Sequence, residues 1–283
     1  MSQARQNRAL IIVNTDFCSS DSDGAFGTRR GAKREAEKLS KTLSRLNYKV
    51  KLMHNKTAKE IEDLYQQECC CEHGEYFVSI ISSHGNEGVI FGYDSEPVKL
   101  TRIFQILSSE KCPVLSKIPK IFFIQACRGK EFDRGVVVEC DSREPEPDCL
   151  SDYISIPPQT VVMFACSPGK GQPPPMTFLS KTPPSRGCGT ANIVLLPLHS
   201  TGYVAFLNIF GSMFLQALLK VLEGEERHLA LNRLMTRINW HVAFCCQARG
   251  TYEGCKEMPC FVTNLLQEVF PFSAPIVEEA DGV

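Results

Sequence analysis

A cysteine and a histidine, each shortly after an apolar run, are the side chains best suited to do chemistry in this chain. Cys127 lies within QACRG (125–129) after the apolar run 121–124, and His84 lies within SHG (83–85) after the run 76–81. A thiolate attacks a peptide carbonyl, and a neighbouring imidazole stabilises that thiolate and then protonates the leaving amine. The pair therefore predicts nucleophilic catalysis by a thiol.

Buried strands are the elements that must position this pair. Short runs rich in β-branched and aromatic residues are typical of such strands, and a thiol at a strand end combines rigid support with access to a crevice. We predict strands at 9–14, 48–53, 76–81, 121–124, 160–166 and 260–269, and helices at 31–46, from 57 onward, 101–109, 211–222 and 228–244. The helix from 57 opens with a capping box between Thr57 and Glu60. This alternation predicts an α/β fold, a mostly parallel six-stranded sheet with helices on both faces.

Composition excludes several classes of partner. The 283 residues, 43% of them hydrophobic, are enough for a substantial core in one large domain or two small ones. The net charge of −1 and the lack of a basic stripe argue against nucleic acid. No apolar stretch reaches the ~18 residues of a membrane helix, and the first residues lack a secretory signal. We therefore expect no nucleic acid, no membrane and a cytoplasmic location.

Fourteen cysteines raise the question of disulfides or metal. Without a secretory signal disulfides are disfavoured, because the cytosol keeps thiols reduced. Two clusters deserve comparison with metal sites: 69–71 with His73, and 245–246 with Cys255 and Cys260. Neither has the paired C-x₂-C spacing of a zinc site. We predict no metal, and interpret these cysteines as small buried hydrophobes and surface thiols.

The motif around Cys127 resembles the signature of the caspase family. That family of aspartate-directed cysteine peptidases is marked by Q-A-C-[RQG]-G with a histidine roughly 50 residues upstream; here the separation is 43 residues. The resemblance covers about 8–272, except for an insert, and implies the caspase-type fold without a cofactor. It implies that His84 and Cys127 are catalytic and that the backbone N–H groups of Gly85 and Cys127 form the oxyanion hole.

The resemblance also implies a pocket for aspartate. Family members carry an arginine in an R-x-G step ahead of the first helix, and Arg29 occupies it here. A guanidinium can bind a carboxylate through two parallel hydrogen bonds. Gln125 is the expected second contact, through its amide. The alternative for Arg29 is a solvated charge on a loop.

One part of the implied substrate site departs from the family pattern. The family loop Gly-Tyr-x-Ser-Trp-Arg-Asn corresponds to 202–208, where Tyr203, Ala205 and Phe206 are the expected substrate contacts. Leu207 stands at the arginine position. An apolar side chain cannot replace a charged hydrogen bond worth about 1.5–3 kcal/mol. The sequence therefore predicts weakened recognition along this wall.

The resemblance further predicts how the chain is divided and assembled. Residues 1–141 correspond to a large subunit and 142–283 to a small one, together one caspase domain. Between them an acidic, proline-bearing segment carries Asp141, the predicted processing site, and its alternative is a merely solvated linker. The last strand, expected from Cys260 to Val269, resembles the one through which caspases pair, so we expect a homodimer.

An insert at 170–202 interrupts the small-subunit pattern. It contains a proline triplet and no clear period, which is typical of a functional or disordered loop. A third interpretation is a translated intron, since its ends can be encoded by splice-like strings.

Two functions remain open. The first is a cysteine endopeptidase that hydrolyses proteins after aspartate. The second is a weak or silent homologue that acts by pairing with other caspases. We expect no recruitment prodomain before Ala9, and in this the chain resembles the short members of the family, such as the one linked to skin differentiation.

Overall fold

A six-stranded sheet carries the described part of the molecule. The computed structural model describes residues 5–18, 26–128, 156–166, 205, 207–208, 211–245 and 257–273. The strands are β1 (Asn7–Val13), β2 (Tyr48–His54), β3 (Phe77–Ser82), β4 (Gly85–Asn86), β5 (Val89–Phe91), β6 (Pro97–Lys99), β7 (Lys120–Gln125), β8 (Thr160–Phe164), β9 (Leu207–Asn208), β10 (Gly211–Ser212) and β11 (Cys260–Thr263). The helices are α1 (Ala32–Arg45), α2 (Ala58–Glu68), α3 (Leu100–Ile106), α4 (Met213–Glu223) and α5 (Leu231–Trp240).

The strand order of the main sheet is β11-β8-β7-β3-β1-β2. The pairs among β2, β1, β3, β7 and β8 are all parallel, and β11 is antiparallel to β8. The predicted mostly parallel α/β sheet is therefore confirmed. Because β7 comes from the predicted large-subunit region and β8 from the small one, the two regions share one sheet.

Helices cover both faces of this sheet, as the side chains of β1 show. Ala9, Ile11 and Val13 enter the core beneath α1, α4 and α5, whereas Leu10 and Ile12 enter the core beneath α2 and α3. Side chains alternate along a strand, so two apolar cores require the continuous apolar run seen in the sequence. The capping box predicted at the start of α2 is present, with Thr57 and Glu60 bonded reciprocally.

The last strand is shorter than predicted, which is the main correction to the fold. It ends at Thr263 rather than at Val269. The Asn264 amide donates to the carbonyl of Pro157 at 2.8 Å and accepts from the N–H of Thr160 at 2.8 Å, turning the chain away from the sheet. Val269 instead accepts a hydrogen bond from the N–H of Leu231 at the start of α5.

Smaller corrections concern element ends. Helix α4 begins at Met213, because Gly211 and Ser212 pair with β9. Helix α5 runs over Leu231–Trp240 and is followed by a π-helical turn at His241–Cys245. The small antiparallel sheet β4-β5-β6 was not predicted, since its strands have only two or three residues. Asp141 and the insert 170–202 lie outside the described residues.

Candidate active site

The segments that carry His84 and Cys127 meet at one edge of the sheet. β3 and β7 are parallel neighbours in which Ser82 pairs with Gln125. The carboxyl ends of parallel strands share an edge, so the residues that follow each strand emerge side by side. The contact is close: a Cβ built on Gly85 would lie 2.9 Å from the carbonyl oxygen of Cys127. The structure thus brings the two predicted catalytic segments together.

A backbone carbonyl orients the His84 ring. Its Nε2 lies 2.8 Å from the oxygen of Gly27. A carbonyl can only accept, so Nε2 carries the proton and Nδ1 is the ring nitrogen that can accept one. The ring stacks on Phe26, with 4.9 Å between centroids, and lies 4.8 Å from the ring of Phe17. Burial lowers the pKa of His84, the Gly27 bond raises it and the charge of Arg29 lowers it, with burial the largest cause.

The Cys127 thiol is half-buried and lies 3.8 Å from the carbonyl oxygen of Ala205. Burial raises the pKa of Cys127, while a backbone hydrogen bond of Ala205 to the sulfur and the positive charge of Arg29 lower it. Burial thus favours the neutral form of both the Cys127 thiol and the His84 imidazole. In such a pair the imidazole must take the thiol proton as the sulfur attacks.

Gly85 has the backbone geometry that an oxyanion-hole donor needs. The N–H of Phe91 donates to the carbonyl of His84 at 2.9 Å, which makes Gly85 and Ile90 a pair without hydrogen bonds of their own. The Gly85 N–H consequently points away from β5. A side chain at this position would also collide with the Ala126 Cβ, at 2.8 Å from the built atom. This close approach accounts for a glycine beside the histidine.

Arg29 is buried at the same edge. Its side chain is 5% exposed, and Nη1 donates to the Asn14 carbonyl and the Ser82 hydroxyl, both at 3.1 Å. Burial lowers its pKa to about 10, so the guanidinium stays protonated at neutral pH. Across the described ranges, no carboxylate lies within 4 Å of it. The alternative of a solvated loop charge is therefore wrong.

Gln125, the second predicted pocket residue, is 1% exposed at the end of β7. Among the described residues, its Oε1 has no hydrogen-bond partner. A buried amide with an unsatisfied atom is costly in a folded protein unless it serves a ligand or water. Its pairing with Ser82, which holds Arg29, places both predicted pocket residues together.

The substrate wall is described in part. Ala205 is buried and contacts the Cys127 thiol through its carbonyl. Leu207 lies on β9, opposite Ser212, and packs against the core beneath α1 and α4. Tyr203 and Phe206 lie outside the described residues.

Arg128 lies in the same motif as Cys127 and is not among the site residues predicted above. It is 3% exposed, its Nη2 lies 2.9 Å from Glu87, and its guanidinium lies 4.2 Å from the Phe164 ring centroid. Its Nη1 also lies 3.3 Å from the Cys260 sulfur on β11. The residue after the thiol thus joins β7 to β8, to β11 and to the loop after β4. Its place beside Cys127 was the available signal.

Within the described ranges, no group of three or more His, Cys, Asp or Glu side chains is arranged to hold a metal ion. None of the helices described is both long and apolar enough to cross a bilayer.

Comparisons with known proteins agree with this geometry. A family model described as the caspase domain matches residues 6–270. Caspase-7 of Gallus gallus is 28% identical over 277 residues, covering 95% of this chain and 78% of the relative. Caspase-3 of Bos taurus is 27% identical over 267 residues, covering 92% and 82%.

The fold comparison points the same way. The crystal structure of caspase-1 from Spodoptera frugiperda aligns with a TM-score of 0.71 at 21% identity, covering 95% of this chain and 93% of that one. At this identity the likeness concerns the fold. The expected likeness to short members without a prodomain stays a prediction. The match over 6–270 establishes that this chain belongs to the caspase family of cysteine peptidases.

Proposed function

We propose that this chain is an endopeptidase that cleaves proteins after aspartate, with Cys127 as nucleophile and His84 as general base and acid. The observation that carries the proposal is the buried, protonated Arg29 at the sheet edge that bears Cys127: no carboxylate lies within 4 Å of it among the described residues, and Glu35 acts on it only from a longer distance. A buried cation is stable only when paired or well hydrogen-bonded. An aspartate side chain of a substrate supplies the missing partner.

The reaction has two halves, formation of a thioester on Cys127 and its hydrolysis. The Cys127 proton passes to His84 Nδ1 while the sulfur attacks the carbonyl carbon, and the negative oxygen is stabilised by the N–H groups of Gly85 and Cys127. The imidazolium then protonates the leaving amine as the C–N bond breaks, leaving a thioester. His84 next deprotonates a water that attacks the thioester, and the thiol regains its proton as the acid product leaves.

The proposed aspartate pocket depends on N–H groups of Arg29 that remain available to a substrate. Arg29 uses Nη1 for Asn14 and Ser82, and its remaining N–H groups are suited to two parallel bonds to a carboxylate. The Gln125 amide adds a further polar contact. Leu207 contributes no charge, so we expect weaker peptide binding than an arginine there would give.

The proposal extends to assembly and maturation. β11 is an outer strand of the sheet with exposed apolar neighbours, Met258 at 45% and Leu266 at 87%. An edge of this kind suits pairing with a second copy.

We further propose cleavage after Asp141, between 1–141 and 142–283, in a cytoplasmic protein. Unchanged processing of an Asp141→Ala variant would exclude that site.

The test is cleavage of a peptide panel differing at one position. Purified chain, with and without 170–202, is incubated with matched peptides carrying Asp, Asn, Glu or Lys at that position, and Cys127→Ala is the blank. We expect hydrolysis after Asp alone. Hydrolysis after Lys would refute the pocket, and no hydrolysis in either form would favour the silent homologue that pairs with other caspases.

A further inference from the structure

Glu35 is a buried carboxylate that the proposed reaction does not use. It lies on α1 and is 2% exposed. Its Oε1 accepts from the backbone N–H of Ser212 at 2.8 Å, and the Ser212 hydroxyl lies 3.1 Å from its Oε2. That hydroxyl accepts the N–H of Leu215 as the N-cap of α4, so its own proton is available to Glu35.

The partner of Glu35 belongs to the hairpin that leads to the substrate wall. Ser212 pairs with Leu207 across β9 and β10, and Ala205, two residues before β9, contacts the Cys127 thiol through its carbonyl. The hairpin approaches α1 so closely that a Cβ on Gly211 would lie 2.5 Å from the Glu35 Oε1. Gly211 also has a φ of 128°, which disfavours any other residue. The close approach and the backbone conformation of Gly211 thus keep the hairpin in contact with Glu35.

We propose that Glu35 is a positioning residue: through Ser212 it fixes the β9–β10 hairpin against α1 and thereby sets the Ala205 carbonyl beside the Cys127 sulfur. Its role in peptide cleavage rests on the proposed function, whereas its hold on the hairpin does not. A carboxyl group with two hydrogen bonds to one serine restrains both position and direction of the strand that carries it.

The charges around Glu35 make this hold sensitive to pH. Burial raises the pKa of Glu35 to about 7, while the bonds to Ser212 and the cations Arg29 and Lys38 oppose that rise. On α4, which packs against α1, Glu223 is bonded to Thr42 and so lies at the far end of α1.

The hairpin should consequently be held most firmly when Glu35 is protonated. A neutral carboxyl keeps both bonds to Ser212 without the cost of a buried charge. Opening the hairpin exposes the carboxylate to water, so the open form gains population as pH rises through about 7.

Hydrogen–deuterium exchange of a peptide spanning 207–215 tests the inference. It is measured at about pH 6 and about pH 8, corrected for intrinsic exchange, in the Cys127→Ala chain to prevent self-cleavage. We expect Glu35→Ala to lose roughly tenfold or more in protection, and Glu35→Gln, which can make both bonds, to restore it. The wild-type glutamate should lose protection at the higher pH, and Glu35→Gln should not. Glu37→Ala, at an exposed position of the same helix, is the matched control.

An activity measurement then connects the hold to catalysis. In the chain with Cys127, Glu35→Ala should lower kcat/KM for aspartyl peptides by at least about tenfold, with recovery in Glu35→Gln. Equal protection in wild type and Glu35→Ala, or failure of Glu35→Gln to restore it, overturns the inference. Should Glu35→Ala not fold, the pH dependence of wild type against Glu35→Gln decides, and its absence counts against the hold. Absence of all peptide cleavage would refute the proposed function and leave the exchange result standing.

Discussion

The imidazole of His84 is tied to the carbonyl of Gly27, a residue 57 positions earlier, at 2.8 Å. This single bond selects the tautomer in which Nδ1 accepts a proton. Because Phe26 stacks on the same ring, the loop before α1 both orients the proposed base and partly shields it from water. The loop that carries Arg29 therefore also prepares the histidine.

The pH dependence of cleavage should reflect this environment. Activity requires neutral His84, and burial lowers the pKa of His84 below its ordinary 6.5. We expect kcat/KM to rise with pH along an acid limb centred below 6.5 and then to level off. Phe26→Ala, which admits water to the ring, should move that limb upward. A limb that stays in place in this variant would contradict burial as the cause.

Replacing Arg29 should abolish the preference for aspartate. Arg29→Gln removes a charge-assisted bond to the substrate carboxylate, which corresponds to roughly a tenfold to hundredfold loss in kcat/KM. Arg29→Lys should recover little, since an ammonium lacks the fork geometry. Arg30→Gln, at the exposed neighbouring position, is the control and should retain activity. Similar losses at both positions would show a general charge effect instead.

An arginine at position 207 should strengthen peptide binding. Leu207→Arg restores the charged donor of the family pattern, and we expect kcat/KM to rise by roughly tenfold to hundredfold. Leu207→Met keeps an apolar side chain of similar size and should leave kcat/KM near wild type. A thermal unfolding scan of each variant accounts for any loss of core packing, since Leu207 packs against the core. No gain in a well-folded Leu207→Arg would show that position 207 does not reach substrate.

The proposed dimer can be blocked at one backbone position. Asn264 donates to the Thr160 carbonyl, so the N–H of Thr263 points away from β8 towards the open edge. Thr263→Pro removes that outward donor without removing a bond to β8, and we expect sedimentation velocity to show monomer. Thr263→Val, which keeps the donor, should remain dimeric. A dimeric Thr263→Pro protein would place the interface elsewhere.

Stability should depend on pH through Glu35. Its folded pKa of about 7 lies above the unfolded 4.5, so the folded state binds a proton more tightly between these values. Wild type should lose unfolding free energy relative to Glu35→Gln as pH rises from about 4.5 to 7, by up to roughly 3 kcal/mol, and no further above 7. Urea unfolding of both proteins over this range measures the difference. A constant difference would mean that Glu35 titrates normally.

The sequence predicted those features that short local patterns encode. The apolar runs before His84 and Cys127 specify strands, and the capping box at Thr57 specifies the start of α2. Contacts between distant segments were not predictable, because no short sequence pattern encodes them. The hydrogen bond between His84 and Gly27 and the burial of Arg29 each depend on segments that are far apart in the sequence. The predicted last strand is too long, because the apolar residues beyond Thr263 contact α5 and the core and do not join the sheet.

The pairing of β7 with β8 has a consequence for a chain that is cleaved between these two strands. Five residue pairs, from Lys120 with Thr160 to Ile124 with Phe164, hold these strands together on opposite sides of the segment 129–155. Proteolysis within that segment would give two bands on a denaturing gel and a single particle on a sizing column. After cleavage, the nucleophile and the substrate wall would remain in one folded particle. The two pieces would separate only when the protein unfolds.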